Sequence, residues 1–323
     1  MNPPLLRLSA PSRLHFGLLA WGKEAPRQFG SIGLMVERPG LTVVARPSET
    51  WAASGPLAAR ALAMIQKVLT QLSAEGTELS PLHLTVETAP AEHVGLGTGT
   101  QISLVVARLL LHRGGEPNPS IARLASLTGR GLRSGIGLHG FARGGLLVDG
   151  GRSDESVYPP LLTRISLPTE WSVLVVVPTF GAGLSDDRER EAFAHLPDPT
   201  SQTIDRLCRL VLLGVLPAAA EGNLQRFGDA LTELQFVVGQ TFASAQGGIF
   251  GHPRLEAITA AMKKMGLVGV GQSSWGPTLY GFLAWDEHQQ AEIARKLFVQ
   301  FSLSAEALIW TRASDHGVVI QAE

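Results

Sequence analysis

Cysteine is nearly absent from this chain of 323 residues, which contains only Cys208. One cysteine excludes an intramolecular disulfide and a cysteine-rich metal site, and its apolar surroundings at 207–216 predict a buried, unreactive thiol. Charge is also scarce: charged residues make up 17%, and the formal net charge is −1. This balance argues against bulk nucleic acid or an anionic membrane surface as the main partner.

Long apolar runs are missing too. No segment approaches the roughly 20 apolar residues that a membrane-spanning helix needs. The start Met1-Asn-Pro-Pro-Leu5 lacks the charged residues and apolar core of a signal peptide. We therefore expect a cytoplasmic protein with no membrane or nucleic-acid partner. Hydrophobic residues make up 45% of the chain, which is enough for a sizeable core, and its length favours two domains.

Strand-like and helix-like segments alternate without the regular rhythm of a doubly wound sheet, which predicts the α+β class. The clearest patterns in the first half are strands at 5–10, 41–45 and 82–87 and helices at 57–72 and 98–112. We place a domain boundary at the linker Pro168-Thr-Glu170. The predicted domains are residues 1–168 and 169–323.

A glycine-rich segment, Pro90-Ala-Glu-His-Val-Gly95-Leu-Gly97-Thr-Gly99-Thr-Gln101, leads into the second of these helices. Thr98 and Gln101 have the spacing of a capping box, which satisfies backbone donors at a helix start. The glycines allow several N–H groups to point at one anion where the helix dipole is positive. We expect a phosphate there, held by the backbone of 95–99 and the Thr98 and Thr100 hydroxyls. The alternative is a tight turn without a ligand.

A second glycine-rich segment, residues 130–145, is basic and contains no acidic residue. Its glycines predict an irregular loop. Gly135 to Gly140 matches the dinucleotide pattern G-x-G-x-x-G, but no hydrophobic strand precedes it and no long helix is predicted after it. Arginine matches the geometry of phosphates and carboxylates, so Arg133 and Arg143 are candidate anion ligands, although a solvated basic loop explains them equally well.

A third segment, Gly269-Val-Gly-Gln-Ser-Ser-Trp-Gly276, joins a strand-like run to a predicted strand at 278–284. Its amide and hydroxyl side chains suit a polar ligand, and a β-turn is the alternative. Trp275 could stack on an aromatic ligand or serve packing alone.

These segments resemble the signature motifs of the GHMP kinase superfamily. Pro90 to Thr100 is similar to the Pro-x-x-x-Gly-Leu-Gly-Ser-Ser phosphate loop, with one extra residue and Thr-Gly-Thr in place of the serines. Ala10-Pro-Ser-Arg-Leu14 resembles the first motif and Gly269 to Gly276 the third. The resemblance implies an N-terminal domain like ribosomal protein S5 domain 2 and a ferredoxin-like C-terminal domain.

Five pieces resemble one branch more closely, the β-ribofuranosylaminobenzene 5′-phosphate synthase family. They are Ser12-Arg-Leu-His-Phe-Gly-Leu-Leu19, Arg27-Gln-Phe-Gly-Ser-Ile-Gly-Leu-Met35, Arg133-Ser-Gly-Ile-Gly137, Phe141-Ala-Arg-Gly-Gly145 and Gly271-Gln-Ser-Ser-Trp-Gly-Pro277. The resemblance implies condensation of phosphoribosyl pyrophosphate with 4-aminobenzoate, releasing CO2 and pyrophosphate, in tetrahydromethanopterin synthesis. It also implies Mg2+ on the pyrophosphate and no organic cofactor, and it leaves a homodimer open.

The resemblance suggests roles for particular residues. Arg13, Arg133 and Arg143 would clamp anions, while His15 and His139 would contact the amino group or a phosphate, or be structural. The predicted phosphate- and substrate-binding residues are Ser12, Ser31, Gly95, Gly97, Thr98, Gly99, Thr100, Gln101, Ser134, Gly135, Gly271, Gln272, Ser273, Ser274 and Trp275. Asp186 and Asp187 are candidate metal ligands, although a helix N-cap explains them more simply.

Two other functions stay open: an ATP-dependent kinase for a small alcohol and a non-catalytic phosphosugar-binding regulator. A kinase needs a group that accepts the proton of the attacking hydroxyl. The segment Ser134-Gly-Ile-Gly-Leu138 contains no acid, and the next acidic residue is Asp149. The synthase reaction does not need that base, because CO2 leaves the ring carbon rather than a proton.

Overall fold

The computed structural model describes residues 5–153, 158–180 and 191–322. These residues form two sheets with helices packed on them, which confirms the predicted α+β class. The strands are β1 (Leu6–Leu18), β2 (Ser31–Pro47), β3 (Ala52–Ser54), β4 (Leu82–Thr88), β5 (Leu146–Asp149), β6 (Leu161–Ile165), β7 (Trp171–Val176), β8 (Val268–Gln272), β9 (Leu279–Ala284), β10 (Leu308–Thr311) and β11 (Val319–Ala322).

Helices connect the strands of both sheets. They are α1 (Ala58–Ala74), α2 (Thr98–Arg113), α3 (Ile121–Thr128), α4 (Ile136–Arg143), α5 (Ser201–Leu210), α6 (Leu216–Ala220), α7 (Leu224–Gln246), α8 (Pro253–Lys264) and α9 (Glu287–Phe301). A π-helical turn, Val211–Val215, joins α5 to α6. None of the helices in the described ranges has the length and apolarity needed to cross a bilayer.

The second sheet has the order β10-β7-β9-β8. Counted along the chain, that order is 4-1-3-2, with helices between the first and second strands and between the third and fourth. This arrangement is ferredoxin-like, as expected. The first sheet has the order β11-β1-β2-β4-β3, with β5 paired to β2 and β6 to β5. The chain passes from the first sheet to the second between β6 and β7. Near its end, β11 returns to the first sheet and pairs with β1. The predicted division at 168/169 assigns these last residues to the second domain.

Two predictions about local structure are wrong. The first strand does not end at 10 as predicted: Arg13 and His15 lie within β1, because 12–18 pair with 31–36 of β2 beyond a bulge at Pro11. The basic glycine segment contains helix α4 instead of being irregular throughout. Its glycines permit close packing: a Cβ on Gly140 would lie 2.3 Å from the Met35 sulfur.

The prediction of a buried cysteine is also wrong. Cys208 is exposed, because it lies on the solvent side of α5, whereas its neighbour Leu207 is buried. The apolar run at 207–216 therefore does not define one buried face.

A cluster of aromatic rings joins the two sheets. Phe16 of β1 lies 4.9 Å from Tyr280 of β9, measured between ring centroids, and 6.3 Å from Phe282. Phe282 in turn lies 5.1 Å from Phe227 of α7. All four side chains are fully buried. Because a buried aromatic ring removes a large apolar area from water, this cluster is a main source of the attraction between the sheets.

We expect Phe282→Ala to lower the free energy of unfolding by about 3 to 5 kcal/mol, because it leaves a cavity between the sheets. Phe298→Ala is the control: this ring is 49% exposed on α9, so its loss should change stability by no more than about 0.5 kcal/mol. Urea unfolding measures the stability of both variants. Equal losses would show that the cluster does not hold the sheets together.

Candidate active site

One hydroxyl connects three of the segments singled out in the sequence. The Ser273 Oγ accepts a hydrogen bond from the backbone N–H of His15 at 2.9 Å and donates one to the Gly95 carbonyl at 2.6 Å. Two backbone bonds lie beside it: Arg13 N–H to the Leu96 carbonyl and Ser274 N–H to the His15 carbonyl. The first strand, the glycine loop and the third segment therefore meet at one point.

The glycine loop ends at the start of α2, where Gly97 is the N-cap in a left-handed conformation with φ of 71°. The predicted capping box is wrong. The Thr98 hydroxyl donates to the Ala91 carbonyl, and the Gln101 amide donates to the Gly137 carbonyl. Thr98 therefore fixes the loop, and Gln101 ties the start of α2 to α4. The N-cap and first residues of the helix, 97–100, line the cavity described below, which is where an anion site at a helix N-terminus would lie.

Three arginines surround this loop. A Cβ on Gly97 would lie 3.2 Å from the Arg13 Nε, and a Cβ on Gly99 would lie 2.5 Å from the Arg60 Nη1 and 3.9 Å from an Arg130 nitrogen. Glycine is therefore required at 99 so that a guanidinium can approach the backbone. Arg60 also forms an ion pair with Glu92 at 2.5 Å. Three guanidinium groups therefore lie around the glycine loop.

A cavity of about 470 Å³ opens on the loop and continues to an aromatic wall. Phe242 lies 4.9 Å from Trp275 and 5.3 Å from Trp21, measured between ring centroids. The Arg133 guanidinium stands 5.5 Å from the ring centroid of Phe193. The cavity thus has a cationic end suited to phosphates and an aromatic end that carries one further cation.

The structure brings many, but not all, of the predicted residues into this cavity. Those that line it are Arg13, His15, Gly95, Gly97, Thr98, Gly99, Thr100, Arg133, Ser134, Gln272, Ser274 and Trp275. Those that do not line it are Ser12, Ser31, Gln101, Gly135, His139, Arg143, Gly271 and Ser273. Asp186 and Asp187 lie outside the described residues.

Two of the outlying residues have other roles. The His139 Nε2 bonds the Pro159 carbonyl at 2.8 Å inside the first domain. Arg143 lies at the C-terminal end of α4 and is exposed, whereas Ser134 lies just before the N-terminal end. The helix separates Arg143 from the other two arginines of the basic segment, so Arg130 and Arg133 reach the cavity and Arg143 does not.

Sequence reasoning missed several residues that line the cavity. They are Arg60, Glu92, Arg130, Phe193, Gln235, Phe242 and Gln246, among others. Arg130 belonged to the basic segment and could have been chosen. Arg60, Phe193 and Phe242 stand far away in sequence and carry no local signal.

His15 is buried beside the Arg13 guanidinium. Burial, and then the charge of Arg13, hold the pKa of His15 well below its usual 6.5, so the imidazole is neutral at pH 7. Its Nε2 has no hydrogen-bond partner among the residues that the structure describes, although it is buried. A neutral ring with an unsatisfied nitrogen can accept or donate one hydrogen bond to a bound molecule.

Asp149 is the buried acid of the region, although it does not line the cavity. Ser31 and Asp149 face each other across β2 and β5, and the Ser31 hydroxyl donates to the carboxylate. The carboxylate also accepts from Gly135 N–H at 2.9 Å and Gly151 N–H at 3.0 Å. Burial raises the pKa of Asp149 to about 6, against the opposing effect of these hydrogen bonds.

Among the described residues no group of three acidic, histidine or cysteine side chains could hold a metal ion. Glu92 is the one carboxylate among the described residues that line the cavity. Mg2+ is commonly held by one or two carboxylates together with substrate phosphates. Glu92 pairs with Arg60 through Oε1, so it would offer Oε2 to a Mg2+ that arrives with a phosphorylated ligand, and the described residues of the wall form no permanent protein cage.

The fold has known counterparts. Residues 215–301 match the family described as GHMP kinases C terminal. Phosphomevalonate kinase of Streptococcus pneumoniae matches with a TM-score of 0.69 at 14% identity, covering 99% of this chain and 100% of that one. Homoserine kinase of Cytophaga hutchinsonii matches with a TM-score of 0.65 at 13% identity, covering 98% and 97%. The chain thus has the two-domain fold of the GHMP kinase superfamily.

Curated relatives define the branch. β-Ribofuranosylphenol 5′-phosphate synthase of Methanothermobacter thermautotrophicus is 30% identical over 293 residues, which is 85% of this chain and 88% of that protein. The protein of the same name from Archaeoglobus fulgidus is 30% identical over 98% of this chain and 100% of its own. The chain belongs to the β-ribofuranosylphenol 5′-phosphate synthase family and is an enzyme of the pentosyltransferase type.

We expect Ser273→Ala to lower the free energy of unfolding by about 2 kcal/mol or more, because the His15 N–H and the Gly95 carbonyl both lose a buried partner. Ser103→Ala is the matched control. Ser103 is equally buried, but its hydroxyl bonds only to the Gly99 carbonyl one turn earlier in α2, a bond that adds little to stability. Urea unfolding compares them. Equal effects would contradict the role given to Ser273.

The lowered pKa of His15 predicts a pH effect on stability. Below pH 6.5 the unfolded chain binds a proton at His15, whereas the folded chain does not. The contribution of neutral His15 to the free energy of unfolding is therefore complete above pH 6.5 and is lost as the pH falls below it. The stability of the wild type relative to His15→Gln should therefore fall by up to about 1.4 kcal/mol per pH unit below 6.5. Urea unfolding at several pH values tests this, and a constant difference would refute it.

Proposed function

We propose that the protein joins the ribose of phosphoribosyl pyrophosphate to a benzoate with an electron-donating group in the para position, releasing CO2 and pyrophosphate. The observation that carries this proposal is the division of one cavity into a cationic phosphate end and an aromatic end. The sequence resemblance gives 4-aminobenzoate as the acceptor. The product named for the relatives is a phenol, which favours 4-hydroxybenzoate as a second acceptor.

The donor fits the cationic end. Phosphoribosyl pyrophosphate carries phosphates at both ends of the sugar, and Arg13, Arg60 and Arg130 surround the loop at the start of α2. Backbone N–H groups at a helix start and arginine forks both favour phosphate. Mg2+ bound to the pyrophosphate with help from Glu92 would neutralise the leaving group.

The acceptor fits the aromatic end. A benzoate ring can lie against Phe242 and Trp275, and its carboxylate can pair with Arg133, which stands over Phe193. The unsatisfied Nε2 of neutral His15 supplies a hydrogen bond inside the cavity. These contacts would hold the ring carbon against the sugar and reduce the reaction to one between pre-oriented groups.

The reaction exchanges bonds at two carbons. The bond between the ribose C1 and the pyrophosphate oxygen breaks, leaving positive charge at C1. The ring carbon that carries the carboxylate attacks C1, because the para amino or hydroxyl group makes it electron-rich. The bond to CO2 then breaks, and its electron pair restores the aromatic ring. A benzoate ring held between the aromatic wall and the sugar would cover C1 on that side and limit attack by water there.

A kinase reaction fits the site less well. Transfer of phosphate to an alcohol needs a group that accepts the proton of that alcohol. Among the described residues no carboxylate can take that proton directly from a ligand in the cavity, because Glu92 is paired with Arg60 and the buried Asp149 does not line the cavity. An aromatic wall is also not required for a small alcohol. A regulator that binds a phosphosugar remains the non-enzymatic alternative, and turnover separates it from the synthase.

The activity test uses phosphoribosyl pyrophosphate, Mg2+ and carboxyl-labelled 4-aminobenzoate or 4-hydroxybenzoate in separate reactions. We expect labelled CO2 and pyrophosphate in equal amounts with at least one acceptor, and none when the sugar donor is left out. ATP-dependent phosphorylation of an alcohol without CO2 release would replace the synthase with a kinase. Binding of the donor without any turnover would favour a regulator.

Two arginines of the same segment allow a matched comparison. We expect Arg133→Ala to reduce kcat/KM for the benzoate about a hundredfold, because a charge-assisted hydrogen bond to its carboxylate is lost. Arg143→Ala should stay within about twofold, because this side chain lies outside the cavity at the other end of α4. Steady-state kinetics of both variants measure the two values of kcat/KM. Similar losses in both would remove Arg133 from the acceptor site.

A further inference from the structure

We propose that Asp149, Ser31 and Ser134 form a hydrogen-bonded relay that takes the proton from a phenolic acceptor and later returns it. This inference rests on the proposed function and assigns a role to a buried acid outside the cavity wall. The relay starts at a carboxylate that is 1% exposed, passes through the fully buried Ser31, and ends at Ser134, which lines the cavity.

The fold holds the three side chains in contact. The Ser31 Oγ donates to the Asp149 carboxylate across the paired strands β2 and β5. The Ser31 and Ser134 hydroxyl oxygens are 2.7 Å apart. The Gly135 N–H, next to Ser134, bonds the same carboxylate oxygen at 2.9 Å. Residues 31, 134 and 149 are distant in sequence, so their contact is a product of the fold.

The direction of the hydrogen bonds follows from counting protons. An ionised carboxylate only accepts, so the single proton of the Ser31 hydroxyl points at Asp149. The Ser134 hydroxyl must then donate to Ser31. The Ser134 oxygen accepts from Ile136 N–H at 3.3 Å, and a hydroxyl oxygen has two lone pairs. One lone pair therefore remains to accept a hydrogen bond from a molecule in the cavity.

The cavity end of the relay lies near the proposed acceptor site. Ser134 follows Arg133, whose guanidinium stands over the Phe193 ring. The carboxylate that pairs with Arg133 and the para group lie at opposite ends of the benzoate ring, so the relay requires the ring to lie between the Arg133 guanidinium and the Ser134 hydroxyl, both of which line the cavity. The remaining lone pair of the Ser134 oxygen favours a ligand that donates a hydrogen bond to it. The para substituent of a phenol or an aniline carries such a proton.

Protons and electrons balance without another reagent. As the ring carbon bonds to the ribose C1, the phenol O–H bond breaks and its electron pair forms the ring C=O bond. The phenol proton goes to Ser134, the Ser134 proton to Ser31, and the Ser31 proton to Asp149. When the bond to CO2 breaks, its electrons restore the ring and leave a phenolate. The three protons then move back.

The surroundings of Asp149 suit this exchange. Its carboxylate accepts bonds from neutral donors, namely Ser31 and the N–H groups of Gly135 and Gly151. A buried carboxylate without a cationic hydrogen-bond partner binds a proton more readily than an exposed one, in line with its raised pKa. It can accept a proton during turnover and release it afterwards.

A relay for a phenol predicts an effect that depends on the acceptor. A phenol becomes much more nucleophilic when it loses its proton, whereas the neutral amine of 4-aminobenzoate already donates a lone pair to the ring. Ser134→Ala breaks the relay at the cavity, and Asp149→Asn breaks it at its buried end. Each is compared with wild type in CO2 release from 4-hydroxybenzoate, 4-aminobenzoate and 3,5-difluoro-4-hydroxybenzoate, whose fluorines lower the pKa of the phenol.

We expect both variants to lose about a hundredfold in kcat/KM with 4-hydroxybenzoate, the usual size of a general-base contribution. With 4-aminobenzoate the loss should stay within about fivefold. With the difluoro acceptor at pH 8, the ratio of the variant's kcat/KM to that of the wild type should be at least tenfold higher than with 4-hydroxybenzoate, because the difluorophenol is already ionised. A merely structural role would lower all three activities together.

The outcomes separate the relay from the proposed function. Equal losses with all three acceptors, or no recovery with the fluorinated phenol, would overturn the relay while the synthase activity stands. A wild type that uses 4-aminobenzoate but neither phenol would also overturn it. No CO2 from any acceptor with the wild type would overturn the proposed function itself. Asp149→Asn changes a buried group between paired strands, whereas Ser134 is half-buried and lies outside the sheet, so Ser134→Ala gives the same test without a buried substitution.

Discussion

The site depends on the hydroxyl of Ser273. This one oxygen bonds the backbone of β1 at His15 and the backbone of the glycine loop at Gly95. A Cβ on Gly95 would lie 2.3 Å from the Ser273 carbonyl oxygen, so the two loops approach backbone to backbone. As a result, the phosphate end, the first strand and the third segment keep fixed positions. The positioning needed for a two-substrate reaction follows from this contact.

The sequence predicted those parts of the site that depend on neighbouring residues. The glycine loop before α2 and the turn around Trp275 were identified from their own residues, and both line the cavity. The helix at Ile136–Arg143 was missed, because its glycines are explained only by close contact with distant residues such as Met35. The α+β class followed from element order, but the return of β11 to β1 depends on long-range pairing that no single segment encodes.

The charge distribution explains how a kinase-type fold can serve another reaction. Arginines gather around the phosphate loop, while neutral His15 adds no charge to this end. The carboxylate of Asp149 lies behind the wall and is connected to the cavity through the hydroxyls of Ser31 and Ser134. Arg60 and Asp149 could not be chosen from sequence, because strand pairing and helix packing alone bring them to the site. In the proposed reaction, anion binding is thereby separated from proton transfer.

The central claim is that the product contains a carbon–carbon bond between the sugar and the ring. The most direct measurement uses an acceptor with ¹³C at the ring carbon that bears the carboxylate, together with a donor labelled at the ribose C1. The account predicts one-bond ¹³C–¹³C coupling between the two labels in the product, together with loss of CO2. A product in which the sugar is joined through nitrogen or oxygen, with the carboxylate retained, would contradict it.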